Sequence, residues 1–95
     1  MSRLLRPAIQ VTDYVRRLAP EHRRSIKRAL EELRGERGDI QPLENNLAGY
    51  YRLRVGKYRI IFSYAEDDAI EALFIEERSL VYEIFEAHFV HKLRQ

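Results

Sequence analysis

The sequence predicts a single α+β domain spanning residues 1–95, in the order β-α-α-β-β-β-α. Three observations predict it. Apolar residues recur at helical spacing up to Leu33, at every second position between Gly49 and Glu77, and at helical spacing again from Ser79. Helices and strands therefore come in blocks, the pattern of an N-terminal helical hairpin packed on one face of a mainly antiparallel, four-stranded sheet. Finally, 95 residues suffice for one core and are too few for two.

Residues 2–6 read as a short first strand. Pro7 suits the first position of a helix, whose apolar face is marked by Val11, Tyr14, Val15 and Leu18. Ala19-Pro20 breaks that helix and starts another, with Glu21 favourably placed in its first turn. Ile26, Ala29, Leu30 and Leu33 form the stripe of this second helix, and Lys27–Glu31 and Arg28–Glu32 stand at ion-pair spacing. Gly35 and Gly38 end it. Residues 36–48, with Pro42, Asn45 and Asn46, read as a polar connection. Beyond Gly49, Tyr51, Leu53 and Val55 alternate with Tyr50, Arg52 and Arg54. Gly56-Lys57 then supplies a two-residue turn with glycine first. Tyr58–Tyr64 and Ile70–Glu77 continue as strands around a turn at Asp67-Asp68. A last helix follows, with Val81, Ile84, Phe85 and Phe89 on one side.

The chain is 45% hydrophobic and 34% charged, ordinary values for a soluble globular protein. It has no cysteine, which excludes disulfides and thiolate metal sites. No apolar run approaches the roughly 18 residues of a membrane span, and no signal-peptide core opens the chain, so a cytoplasmic location without membrane contact is expected. The net charge of +2 conceals two unequal parts: residues 1–62 are basic and residues 63–95 acidic. Of the 17 basic residues 14 are arginine, whose planar fork suits phosphate better than the hydrated point charge of lysine.

Strand pairing sharpens that hint. A turn at Gly56-Lys57 sets Val55 opposite Tyr58, Leu53 opposite Ile60 and Tyr51 opposite Phe62, an apolar face for the helices. On the other face Arg54 stands opposite Arg59 and Arg52 opposite Ile61. Like charges directly opposite each other cost a sheet about 0.2–1 kcal/mol. The next hairpin brings Glu76 opposite Arg59, Phe74 opposite Ile61 and Leu73 opposite Phe62. The exposed face then carries Arg52, Arg54, Arg59 and Glu76, with Arg78 two residues further on. It is either a solvated face with an Arg59–Glu76 salt bridge or an anion site.

The run Leu47-x-Gly49-Tyr50-Tyr51-Arg52-Leu53-Arg54-Val55-Gly56-Lys57-Tyr58-Arg59-Ile60-Ile61-Phe62, followed by Arg78-Ser79-Leu80-Val81-Tyr82, resembles the RelE/ParE toxin superfamily of type II toxin–antitoxin systems, and its RelE-like branch in particular. The resemblance covers nearly the whole chain. It implies an endoribonuclease that cuts messenger RNA in the ribosomal A site, inhibiting translation. No metal or other cofactor is implied, since the ribose 2′-hydroxyl attacks the adjacent phosphate. Its implied partners are the ribosome, mRNA and a cognate antitoxin, a small protein from a neighbouring gene.

By the same resemblance Arg59, Arg78 and Tyr82 are catalytic, and Glu76, where this chain departs from the family pattern, joins them as the candidate acid of the site. RNA contacts fall to Arg52 and Arg54, with Tyr50 as a stacking platform and Lys57 at the turn, solvated or phosphate-bound. The chemistry needs cations aimed at a phosphate that gains charge, together with a proton acceptor and a donor. Arginine meets the first need and cannot serve as base. Some relatives carry lysines at Arg52 and Arg54, and many have a basic segment where this chain has Glu76-Glu77-Arg78. Glu76 is therefore either the general base or a residue that weakens the site. His88 and His91 stand three apart, but no further metal ligand accompanies them. Two alternatives remain open: a ParE-like inhibitor of DNA gyrase without nuclease activity, and a decayed toxin that acts only with its antitoxin.

Overall fold

Two helices and five strands occur among the described residues of the computed structural model, which are 2–77 together with Phe85 and Ala87. Strand β1 (Leu5–Pro7) leads into helices α1 (Ile9–Arg16) and α2 (Pro20–Leu33). Strands β2 (Asp39–Pro42), β3 (Tyr51–Val55), β4 (Tyr58–Tyr64) and β5 (Ile70–Glu77) follow. The sheet order is β1-β5-β4-β3-β2, with β1 parallel to β5 and the other pairings antiparallel. The α+β class is as expected; the sheet has five strands rather than four. The additional strand, β2, lies in the segment expected to be a polar connection and pairs with β3 from Asp39↔Arg54 to Pro42↔Tyr51. The expected C-terminal helix, and with it Arg78, Tyr82, His88 and His91, falls outside the described residues apart from Phe85 and Ala87.

Pro7 ends β1 instead of opening a helix. Proline cannot donate to a ladder, and the edge of a sheet is where a strand tolerates it. The ladder is picked up one residue later, where Ala8 N–H donates to the Ala72 carbonyl at 2.8 Å. Pro20 does occupy the first turn of its helix, with Glu21 behind it, as the sequence suggests. On α2, Ile26 and Leu33 are completely buried, and Glu31 pairs with Arg34 at 2.8 Å rather than with Lys27.

The chain leaves α2 through a left-handed turn at Glu36 (φ 62°), not at Gly35. Partners hold the Glu36 carboxylate there: Arg3 Nε at 2.6 Å and the donating Tyr64 hydroxyl at 2.8 Å. Gly38, at φ 128°, faces Leu53 so closely that a Cβ would stand 2.8 Å from Leu53 Cδ1. Leu53 is buried and has little room to yield. Gly38→Ala is therefore expected to destabilise the fold by about 1–3 kcal/mol, read as a lower urea midpoint with an unchanged slope. A midpoint like that of the wild type would show that Leu53 gives way.

The main core lies between the helices and one face of the sheet, where Val11, Val15, Ile26 and Leu33 meet Leu53, Tyr58, Ile60, Phe62, Ile70, Ala72 and Ile75. The β3–β4 register is the expected one at all five pairs, from Val55↔Tyr58 to Tyr51↔Phe62. Between β4 and β5 the expected register holds for Arg59↔Glu76 and Ile61↔Phe74, and then slips: Phe62 pairs with Ala72, not Leu73. The reason lies in the apolar spacing of β5. Ile70 and Ala72 face the main core, and so does Ile75, which strict alternation forbids. One extra residue between Ala72 and Ile75 restores the parity, as a bulge does.

Tyr64 closes this end of the molecule. Burial first, then the hydrogen bond to Glu36 and that carboxylate's charge, push its hydroxyl up to about 12. A tyrosine pKa raised by folding adds stability that is fully present below pH ~10 and lost as pH climbs through the folded value. Between pH 10 and 12 the wild type should thus lose more stability than Tyr64→Phe. Urea midpoints of both proteins across that window test this; parallel losses would contradict it.

Candidate functional site

The sheet face turned away from the helices is built from two transverse rows. Strand pairing places Asp39, Arg54, Arg59 and Glu76 side by side across β2, β3, β4 and β5. The neighbouring row is Gln41, Arg52, Ile61 and Phe74. The like-charged pair Arg54–Arg59 thus has an acid at each end of its row. The face is not uniformly exposed, as the sequence suggested. Ile61 and Phe74 form a second apolar cluster with buried Phe85, against which Leu43, Leu47, Tyr50 and Leu73 pack.

The four arginine and lysine positions on this side differ sharply in their freedom. Arg59 is only 7% exposed, and its Nη1 donates to the carbonyls of Gly56 at 2.8 Å and Tyr58 at 2.9 Å, bracing the β3–β4 turn. Arg52 has its side chain 11% exposed and is gripped from β2, donating to Gln41 Oε1 at 2.7 Å and Asp39 Oδ1 at 3.3 Å. Lys57 pairs with Glu77 at 3.3 Å and lies over the Tyr58 ring. Arg54 and Arg59 are register partners on neighbouring strands, the first exposed and the second buried.

Glu76 departs from the expected salt bridge with Arg59. The two residues are register partners, yet Glu76 Oε1 accepts the Tyr14 hydroxyl at 3.1 Å and the Glu77 N–H at 3.1 Å. Tyr50, the expected stacking platform, meets Phe85 edge-on at 5.0 Å and packs against the second apolar cluster. Tyr51 and Tyr58 sit with the main core, as expected. Sequence reasoning missed Asp39, Gln41 and Tyr14 as parts of this site. The signal for the first two was the polar-apolar-polar run Asp39-Ile40-Gln41, a short period of two. Tyr14 gave no signal beyond its place on an apolar helix face. No cluster of three or more His, Asp or Glu suited to a metal ion occurs among the described residues, and none of their helices is long and apolar enough to cross a membrane.

Three solved structures share this architecture. A chain of the toxin–antitoxin complex RelBE2 from Mycobacterium tuberculosis superposes with a TM-score of 0.71, at 22% identity over 82% of this chain and 100% of that one. The RelE–RelB complex from Pyrococcus horikoshii matches with a TM-score of 0.66, at 28% identity over 82% of this chain and 97% of that one. The RelB–RelE antitoxin–toxin complex from Methanococcus jannaschii gives 0.67, at 25% identity over 84% of this chain and 98% of that one. The chain has the RelE/ParE-like toxin fold. Its structural neighbours are toxins of toxin–antitoxin systems. No family model matches the sequence, and neither does any curated protein. Within the RelE/ParE-like fold, the arginine rows occupy the sheet face opposite the helical pair, and this chain walls them with the polar side chains of β2 on one flank and Phe85 above.

Proposed function

We propose that this chain is the toxin of a type II toxin–antitoxin pair and cuts messenger RNA in the ribosomal A site. The observation that carries the reading is the transverse row in which Arg54 and Arg59 stand side by side next to Glu76. Arg54 and Arg59 bind the scissile phosphate, and Arg52 holds the strand beside it. Glu76 takes the proton of the ribose 2′-hydroxyl as that oxygen bonds to phosphorus. The bond from phosphorus to the 5′-oxygen then breaks, and Tyr82 supplies the proton the leaving oxygen needs, with Arg78 neutralising the charge that builds on the phosphoryl oxygens. The products are a 2′,3′-cyclic phosphate and a 5′-hydroxyl. A cognate antitoxin is the natural partner, and its acidic side chains would cover the same row.

A second reading has its own support. Arg52, Arg59, Lys57 and Glu76 each already hold a partner within the chain, which suits a toxin that binds a protein such as DNA gyrase and cleaves nothing. Incubating the wild type with programmed ribosomes and with gyrase separates the two. Message cut in the A-site codon supports the nuclease; blocked supercoiling with an intact message supports the binder.

A further inference from the structure

Helix α1 grips the edge of β5 at the point where β1 stops. β1 covers β5 only from Ile70 to Ala72. Further along, at Ile75, the side-chain amide of Gln10 takes the place of a neighbouring strand. Its Nε2 donates to the Ile75 carbonyl at 2.8 Å, and its Oε1 accepts the Ile75 N–H at 2.9 Å. One helical turn later on α1, Tyr14 donates its hydroxyl to Glu76 Oε1 at 3.1 Å. Consecutive residues of the strand are therefore fixed by residues four apart on the helix, the spacing that puts two side chains on one helix face.

We propose that Tyr14 is a positioning residue for Glu76, pinning one carboxylate oxygen so that the other is presented to the substrate's 2′-hydroxyl; this rests on the reading of Glu76 as general base. The hydrogen bonds fit that division of labour. Oε1 receives both Tyr14 Oη–H and Glu77 N–H, whereas Oε2 accepts nothing among the described residues. Tyr14 is itself braced, edge-on to Tyr58 with ring centroids 6.1 Å apart, and Tyr58 shares a hydrogen bond with His22 Nδ1 at 3.3 Å. Burial and the neighbouring Glu76 raise the Tyr14 hydroxyl above its ordinary value, so it stays protonated and remains a donor at neutral pH. The charged and titratable groups around Glu76 are Arg59 across on β4, Glu77 on its own strand with Lys57, Tyr14 on α1, and the Tyr58–His22 pair behind it.

The test compares the wild type, Tyr14→Phe, Glu76→Gln and the double variant in ribosome-dependent cleavage at neutral pH, with kcat and KM determined separately. Tyr14→Phe deletes one oxygen and leaves the ring contact in place, so its thermal midpoint should stay within a few degrees of the wild type. It should cut with a kcat about tenfold lower and KM unchanged, because a misaimed carboxylate slows the chemical step and leaves message binding alone. In the Glu76→Gln background, Tyr14→Phe should have no further effect. An equal loss in both backgrounds, or a raised KM with kcat unchanged, overturns the positioning role while leaving the nuclease standing. A wild type that leaves the message intact overturns the nuclease and Tyr14's role in it together.

Discussion

Replacing Phe62 by alanine is expected to destabilise the protein by about 3–5 kcal/mol. Phe62 is completely buried near the middle of β4. Its ring stacks on Tyr51 at 5.5 Å and meets the edge of Tyr64 at 5.7 Å, so its removal forfeits both transfer energy and aromatic contact. The loss also strikes where the sheet is least regular, since Phe62 is the first residue beyond the β4–β5 register shift. A small domain has about 5–15 kcal/mol of stability in all, and much of it would go. Urea unfolding followed by far-ultraviolet circular dichroism measures the change; a loss under about 1 kcal/mol would show that the neighbouring rings collapse into the space.

Arg59→Ala carries the largest expected effect on activity. Removing a cation aimed at the phosphate should slow cleavage by at least about a hundredfold, the scale of deleting one preorganised charge-stabilising group. The same change costs stability, because Arg59 is buried and its Nη1 serves the carbonyls of Gly56 and Tyr58. That cost is about 1–2 kcal/mol, too small to unfold the domain. The stabilities of wild type and variant should be compared first, and the rates under conditions where both are folded. Cleavage within threefold of the wild type would reduce Arg59 to a brace for the turn.

How much of this was legible in the sequence depended on whether a feature left a period. β3, β4 and β5 did: Leu53, Ile60 and Phe62 alternate with charged or opposite-facing residues, and Gly56 at φ 57° fixes the register of the hairpin. The juxtaposition of Arg54 and Arg59 followed from that register alone. In β2 the period of two rests on one side chain, Ile40 between Asp39 and Gln41, too short to tell a strand from a polar connection. The slip beside Phe62 was written in the spacing of Ile70, Ala72 and Ile75, but only a structure shows that all three face one core. Burial of Arg59 had no signature, because spacing says which face a guanidinium leaves and not that it folds back on turn carbonyls. Tyr14 was read as part of an apolar stripe; its bond to Glu76 exists because β1 ends early and leaves α1 beside the open edge of β5.

Primer extension on a message held by programmed ribosomes tests the central claim most directly. The wild type should produce a new end within the A-site codon, absent without ribosomes and strongly weakened in Arg59→Ala and Tyr82→Phe. A message left intact by the folded wild type on actively programmed ribosomes would contradict the account.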